Sequence, residues 1–249
     1  MEVKFMAMEN LGMGSASGGG AAGAKGINLT LARVSIDAII GSYNSICTAI
    51  TTTFYREFVT EIVPLWQNPN AKIFYDNAEP LVKGMFDSCK ITLESVIDTM
   101  NSAAAYMASV QGSEFSKRTY DPSIYSFDVS VIQSSDGNGS YVLDESTDQQ
   151  AKNAISKLIT LCDGELKNIK LAVNNSGFVG GQMQQNLIYS INHIATQISS
   201  TMDKITNAFN TAITAKTDNV VEATKKIEES FTATETNLQP GMGAAGNVG

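Results

Sequence analysis

The stretch that decides the fold is Pro64-Leu65-Trp66-Gln67-Asn68-Pro69-Asn70-Ala71. It lies between two long helical patterns and holds the single Trp of the chain. Pro64 discourages a helix from running through, because its ring clashes with the preceding turn and it lacks an N–H. Asn68 is a suitable N-cap, with a short side-chain oxygen that can accept from a free N–H of the next helix. Pro69 then falls on the first helical position, where a missing N–H costs nothing. The stretch reads as the elbow of a helical hairpin.

Upstream of the elbow, Ile36, Ile39, Tyr43, Ile46, Ile50, Phe54, Phe58 and Ile62 step by three and four, giving one apolar stripe over about 27–62. Many residues here are β-branched, which lowers intrinsic helix propensity. The helix must therefore be held by burial of its stripe against partner helices. Downstream, Phe74, Ala78, Leu81, Met85, Cys89, Leu93, Val96, Met100 and Met107 continue the pattern to about Gly112. Pro80 is expected to kink that helix or to separate its first turns.

The rhythm changes over 113–146. Tyr125, Phe127, Val129 and Val131 alternate with Ser126, Asp128 and Ser130, and a Ser134–Ser140 turn signal precedes Tyr141-Val142-Leu143. This predicts a small β-hairpin insert over 124–143, packed on the helices. Thr147 and Gln150 then fit a capping box. A third helix carries Ala151, Ile155, Leu158, Cys162, Leu166, Ile169 and Val173 to a second break at Asn174–Gly181, too rich in Gly and Asn to continue a helix cheaply. A long fourth helix runs from Gln182 to Phe231, and its stripe slips between Lys216 and Asp218.

The predicted fold is mainly α: two helix–turn–helix hairpins, 27–112 and 147–237, closing a four-helix bundle within one chain. A weaker alternative has the halves open and self-associate with another chain. Residues 1–26 read as an N-terminal arm, with Phe5, Met6, Met8 and Leu11 ahead of the Gly/Ala/Ser-rich MGSASGGGAAGAKG at 13–26. It is either a passive tail or a docking peptide. Residues 238–249 read as a second flexible tail.

Net charge is −8 and Lys plus Arg number only 17, so a nucleic-acid backbone is a poor partner. Cys47, Cys89 and Cys162 have no metal-type spacing and read as buried free thiols. No secretory signal peptide and no membrane-spanning apolar run is visible. His193, the single His, lies beside the fourth stripe with no nucleophile or acid in a recognisable pattern. No catalytic residue, cofactor or metal site is expected.

Trp66-Gln67-Asn68 and Phe178-Val179-Gly180, each at the elbow of a helical hairpin, resemble the Trp-X-Gly (WXG) proteins of bacterial type VII secretion systems. Those are small helical hairpins that pair as antiparallel four-helix dimers. Residues 30–110 and 147–235 look like two such units fused. The first elbow has Asn68 where the family has Gly, and the second has Phe178 where the family has Trp. The resemblance implies a non-enzymatic protein, secreted or at the cell surface, that is a substrate or the helical partner of one. Its implied partners are the secretion ATPase or a cognate helical protein, met through the elbow residues. The family's aromatic-x-x-x-acid export motif has a counterpart in Phe231 and Glu235, with Phe in place of Tyr. The same residues also read as an ordinary helix end closing the stripe. Tyr75 and Glu79 share that spacing, just after the first elbow. Two other readings stay open: a membrane-active helical protein using the β-hairpin as an apolar tongue, and a helical scaffold.

Overall fold

The computed structural model describes residues 28–62, 69–123, 125, 145–178, 182–214 and 220–232. Among the described residues are five α-helices and one π-helix: α1 (Leu29–Thr48), a π segment (Ala49–Ile62), α2 (Pro69–Val110), α3 (Glu145–Asn175), α4 (Gln182–Thr214) and α5 (Val220–Thr232). The mainly helical class is as expected.

The first helix starts where a cap is available. Asn28 Oδ1 accepts from the backbone N–H of Thr30 and Leu31, both at 3.1 Å. The winding widens to π at Ala49, a change the sequence reading did not foresee. Two features favour it. The run Thr51-Thr52-Thr53 is β-branched and poor at α-helix, and the Thr51 hydroxyl donates to the Cys47 carbonyl at 2.8 Å, competing with the ladder. Ile46, Ile50, Phe54, Phe58 and Ile62 also recur strictly every four residues. In an α-helix that spacing drifts by about 40° per step. A wider turn brings all five inside, and all five are buried.

Pro69 opens α2 as expected, and its 42 residues make a rod of about 60 Å. It passes through Pro80 without a break in the helix. The expected division of its first turns is thus corrected. Pro80 is exposed, so its ring stands clear of the core. At the far end Gly112 takes φ +65°, the Gly112 N–H donates to Ser109 and the Ser113 N–H to Ala108. This is the Schellman arrangement, which needs a left-handed residue there.

The hairpins pair antiparallel. Tyr43 meets Glu94 while Phe58 meets Phe74, so α1 and the π segment run against α2. Asn174 meets Gln184 across the α3–α4 turn. Ser42 bonds Glu165 and Asn28 lies against Gly177, so α1 also runs against α3. Ser88 bonds Gln197 and Asn70 bonds the Ala212 carbonyl, so α2 runs against α4. The order around the bundle is α1, α2, α4, α3, with α5 lying on α2 and α4. One continuous core results, filled by the predicted stripes together with Val82, Phe86 and Ile97.

Three expectations are corrected. Helix α3 begins at Glu145, so Thr147 sits buried inside its first turn instead of capping it. Asp148, in the first turn, places negative charge toward the positive end of the helix dipole and pairs with Lys152 at 2.8 Å. The predicted fourth helix is two helices, α4 and α5, on either side of the stripe slip. The described residues contain no strand. Of the expected β-hairpin only Tyr125 is described, and it lies with an irregular strap, residues 113–123, along α1 and α2. The remaining hairpin residues, both predicted tails and the elbow 63–68 lie outside the described residues.

Gly41 and Gly164 are exposed in mid-helix, with open space around a built Cβ. Gly41→Ala and Gly164→Ala should each stabilise the fold by about 1 kcal/mol. Gly177 has φ +76°, and Gly177→Ala should destabilise it by about 1–2 kcal/mol. Urea denaturation midpoints of the three variants test both signs.

Candidate functional site

The chain offers three places where side chains do more than fill the core. The first is the end flanking the Trp66 elbow. Phe58, Phe74 and Phe209 meet edge-on or tilted, with centroids 5.7–6.0 Å apart, and Phe54 stacks on Phe58 at 5.2 Å. Phe231 of α5 joins them, 5.9 Å from Phe74, and is buried. Its ring therefore finishes the apolar stripe of α5.

Beside this cluster is a crevice between the π segment, α2 and Ile205 of α4. Its volume is about 20 Å³, room for roughly one water. Tyr75 and Glu79, one turn apart on α2, both face it. The Tyr75 hydroxyl is pushed up in pKa by burial. Glu79 Oε1 is buried with no hydrogen-bond partner among the described residues. Burial, and then the nearby Asp76 carboxylate, hold the Glu79 carboxyl above its usual range.

The second place is the strap. The Asn101 side chain grips the backbone of Arg118 at two points: its Nδ2 donates to the carbonyl at 2.9 Å, and its Oδ1 accepts from the N–H at 2.8 Å. The Arg118 guanidinium pairs with Asp37 on α1. Tyr120 and Tyr125 set their rings edge-on to Tyr43 at 5.5 and 5.9 Å. The Tyr43 hydroxyl donates to Glu94 at 2.8 Å, and its pKa is raised by burial and by that bond. Arg33 lies over the Phe115 ring at 5.9 Å.

The third is a layer of thiols. The antiparallel register that sets Tyr43 opposite Glu94 and Ser42 against Glu165 sets Cys47 level with Cys89 and Cys162. All three are free and buried. Burial pushes Cys47 and Cys162 up to about 12, and raises Cys89 as well. They are protonated at neutral pH and weak nucleophiles. No group of three His, Cys, Asp or Glu among the described residues is arranged to hold a metal ion. His193 is exposed on α4.

Of the residues predicted at the two elbows, only Phe178 is described. Ile62 and Asn70, which flank the first elbow, lie at the aromatic end, level with Phe209 and Ala212. Phe178 lies at the opposite end, where Gly177 meets Asn28. Phe178 is half-buried and packs against the core. Trp66, Gln67, Asn68, Val179, Gly180 and Glu235 lie outside the described residues. The crevice was signalled only by the Tyr75/Glu79 spacing, and the strap by no feature of the pattern. No family model, curated protein or solved structure matches the chain. No described helix is long and apolar enough to cross a membrane.

Two outcomes follow from this geometry. The folded state holds the Glu79 proton more tightly than the unfolded chain does. Stability is therefore lost as pH rises from the ordinary carboxylate range through the raised pKa of Glu79. Glu79→Gln should be more stable than the parent at pH 7, and the gain should vanish near pH 4, roughly the unfolded value; denaturation at the two pH values measures it. Asn101→Ala leaves the Arg118 N–H and carbonyl without that grip. It should cost about 1–3 kcal/mol and speed hydrogen exchange at the Arg118 amide.

Proposed function

We propose that the chain is a non-enzymatic, WXG-like protein of a type VII secretion system, secreted or displayed at the cell surface. It serves as a substrate or as the helical partner of one. The observation that carries this reading is the pairing of two helical hairpins, antiparallel, within one chain. That is the arrangement the WXG proteins reach by dimerising. Here the fusion closes the bundle without a second chain, so the surfaces left for recognition are its ends and outer faces.

In this reading the two elbows work separately, because Phe178 and the residues flanking the first elbow occupy opposite ends. One end faces the secretion ATPase or a cognate helical protein while the other stays free. The burial of Phe231 against Phe74 favours a packing role for that ring. An export receptor reading Phe231 has to lift α5 from α2 and α4.

Export tests the proposal. The native chain is expressed in its host, and medium is compared with lysate, with the secretion ATPase active and inactivated. The chain should reach the medium only with active ATPase. Trp66→Ala or Phe178→Ala, checked for folding by helical circular dichroism, should abolish export if that elbow is read. Phe231→Leu keeps apolar volume and should be exported normally if the ring only packs. A folded chain that stays in the lysate whatever the state of the ATPase removes the secretion reading.

A further inference from the structure

The strap, residues 113–123, lies between α1 and α2 as a bound peptide lies in a groove. Its contacts advance in order along both walls. Along α1, Arg33 lies over Phe115, Asp37 pairs with Arg118, and Tyr43 meets the ring of Tyr120. Along α2, which runs the other way, Asn101 holds Arg118, and Asp98 accepts from the Tyr120 hydroxyl at 3.1 Å. Residues 113–121 form neither helix nor strand. The two helices therefore meet the segment side chain by side chain.

Asn101 is the centre of this groove. It is only 3% exposed, and a buried side-chain amide needs partners for both its oxygen and its nitrogen. It finds both on one residue's backbone, donating to the Arg118 carbonyl and accepting from the Arg118 N–H. Such a pair is indifferent to the side chain that the backbone carries, so it supplies affinity and leaves selection to the walls. Asp37 and Asp98 make the walls acidic there, which suits an arginine and a hydroxyl that donates. Tyr43 offers its ring to an aromatic edge.

The strap is lightly held. Among the described residues, Arg118 is the one place between 114 and 123 where the strap backbone bonds to the helices. The Arg118 and Asp37 side chains are 41% and 42% exposed, and ion pairs so open to water hold weakly. Phe115 and Tyr120 are half-buried. Against these contacts stands the conformational entropy lost in ordering the segment. A segment held this way exchanges with a competitor that offers the same contacts.

We infer that the α1–α2 groove is a peptide-binding groove that the strap keeps occupied. Its partner is an extended protein segment carrying an aromatic residue, an arginine three positions on and a tyrosine two beyond that, as Phe115, Arg118 and Tyr120 are spaced. The incoming backbone takes over the Asn101 pair, its arginine takes Asp37, and its rings take Arg33 and Tyr43. The strap is thus the groove's resident ligand and the competitor that a partner displaces. The inference is independent of the export reading.

The test uses a fluorescently labelled peptide of residues 113–123 as the partner segment. In the full chain carrying Phe115→Ser, Arg118→Ser and Tyr120→Ser, the resident ligand loses its side-chain contacts. Anisotropy should show saturable peptide binding, about tenfold or more tighter than to the parent chain, whose tethered strap competes at high effective concentration. Adding Asn101→Ala should weaken that binding about tenfold, and adding Asp37→Ala, on the exposed wall, about two- to fivefold. A scrambled peptide should not bind. Helical circular dichroism checks that each variant folds. If the triple variant does not fold, the parent decides: millimolar peptide should displace the strap and speed hydrogen exchange at the Arg118 amide about twofold or more. The inference is overturned by a folded triple variant that does not bind, by binding equal to the parent's, or by binding indifferent to scrambling or to both wall substitutions. Where the parent decides, unchanged exchange overturns it.

Discussion

Neither hairpin can bury its own stripe. A helix in a two-helix hairpin has apolar side chains over an arc wide enough to face two neighbours, and the hairpin supplies only one. The contact that resolves this is hairpin on hairpin: α1 against α3 and α2 against α4. Phe209 shows the result, because it touches Phe58 from the first leg and Phe74 from the second leg of the other hairpin. Helical propensity in the first leg is low, so this contact holds the winding as well as the packing. The π segment is its local consequence. Its strict four-residue apolar spacing fits the core better when the turn is widened, and the bundle tolerates the poorer backbone geometry because five large side chains gain burial.

Polar groups inside such a core have to be matched to it, and the chain handles them in two ways. Ser42 with Glu165 and Tyr43 with Glu94 are satisfied side chain to side chain across helices, which fixes register. Glu79 has a buried oxygen beside the π segment with no hydrogen-bond partner among the described residues. Burial in that crevice disfavours the charged carboxylate, and the pKa of Glu79 is raised. The thiol layer is the apolar version of the same solution, because protonated Cys47, Cys89 and Cys162 behave as small hydrophobic side chains.

Much of this was legible in the residues. Period 3.6 patterns placed the helices, Pro69 marked the start of α2 and Asn174–Gly181 marked the second turn, because those signals act locally on the backbone. What the pattern could not give depends on contacts distant in sequence. The strap lies where Asn101, Asp37 and Tyr43 hold it, and none of them is near 113–125 in the chain. The Tyr125 alternation suggested a strand, yet Tyr125 is described in a strap resting on Tyr43. Thr147 had the chemistry of a cap, but the helix begins at Glu145 and takes Thr147 into its first turn. The elbow residues of the candidate motif were readable as a break and nothing more. Which end of a bundle an elbow occupies is set by how the hairpins pair.

That pairing also constrains what the chain can present. Closing four helices within one chain puts the two elbows at opposite ends, so a receptor that reads one leaves the other more than half the length of the bundle away. A partner able to read both has to span the rod or meet a chain with its hairpins parted. Parting them exposes the stripes of α1 and α3 along their whole length, including the thiol layer and the Ser42–Glu165 bond. Recognition at a single end needs no such opening. A closed bundle therefore presents its ends and its outer faces, and keeps its stripes inside.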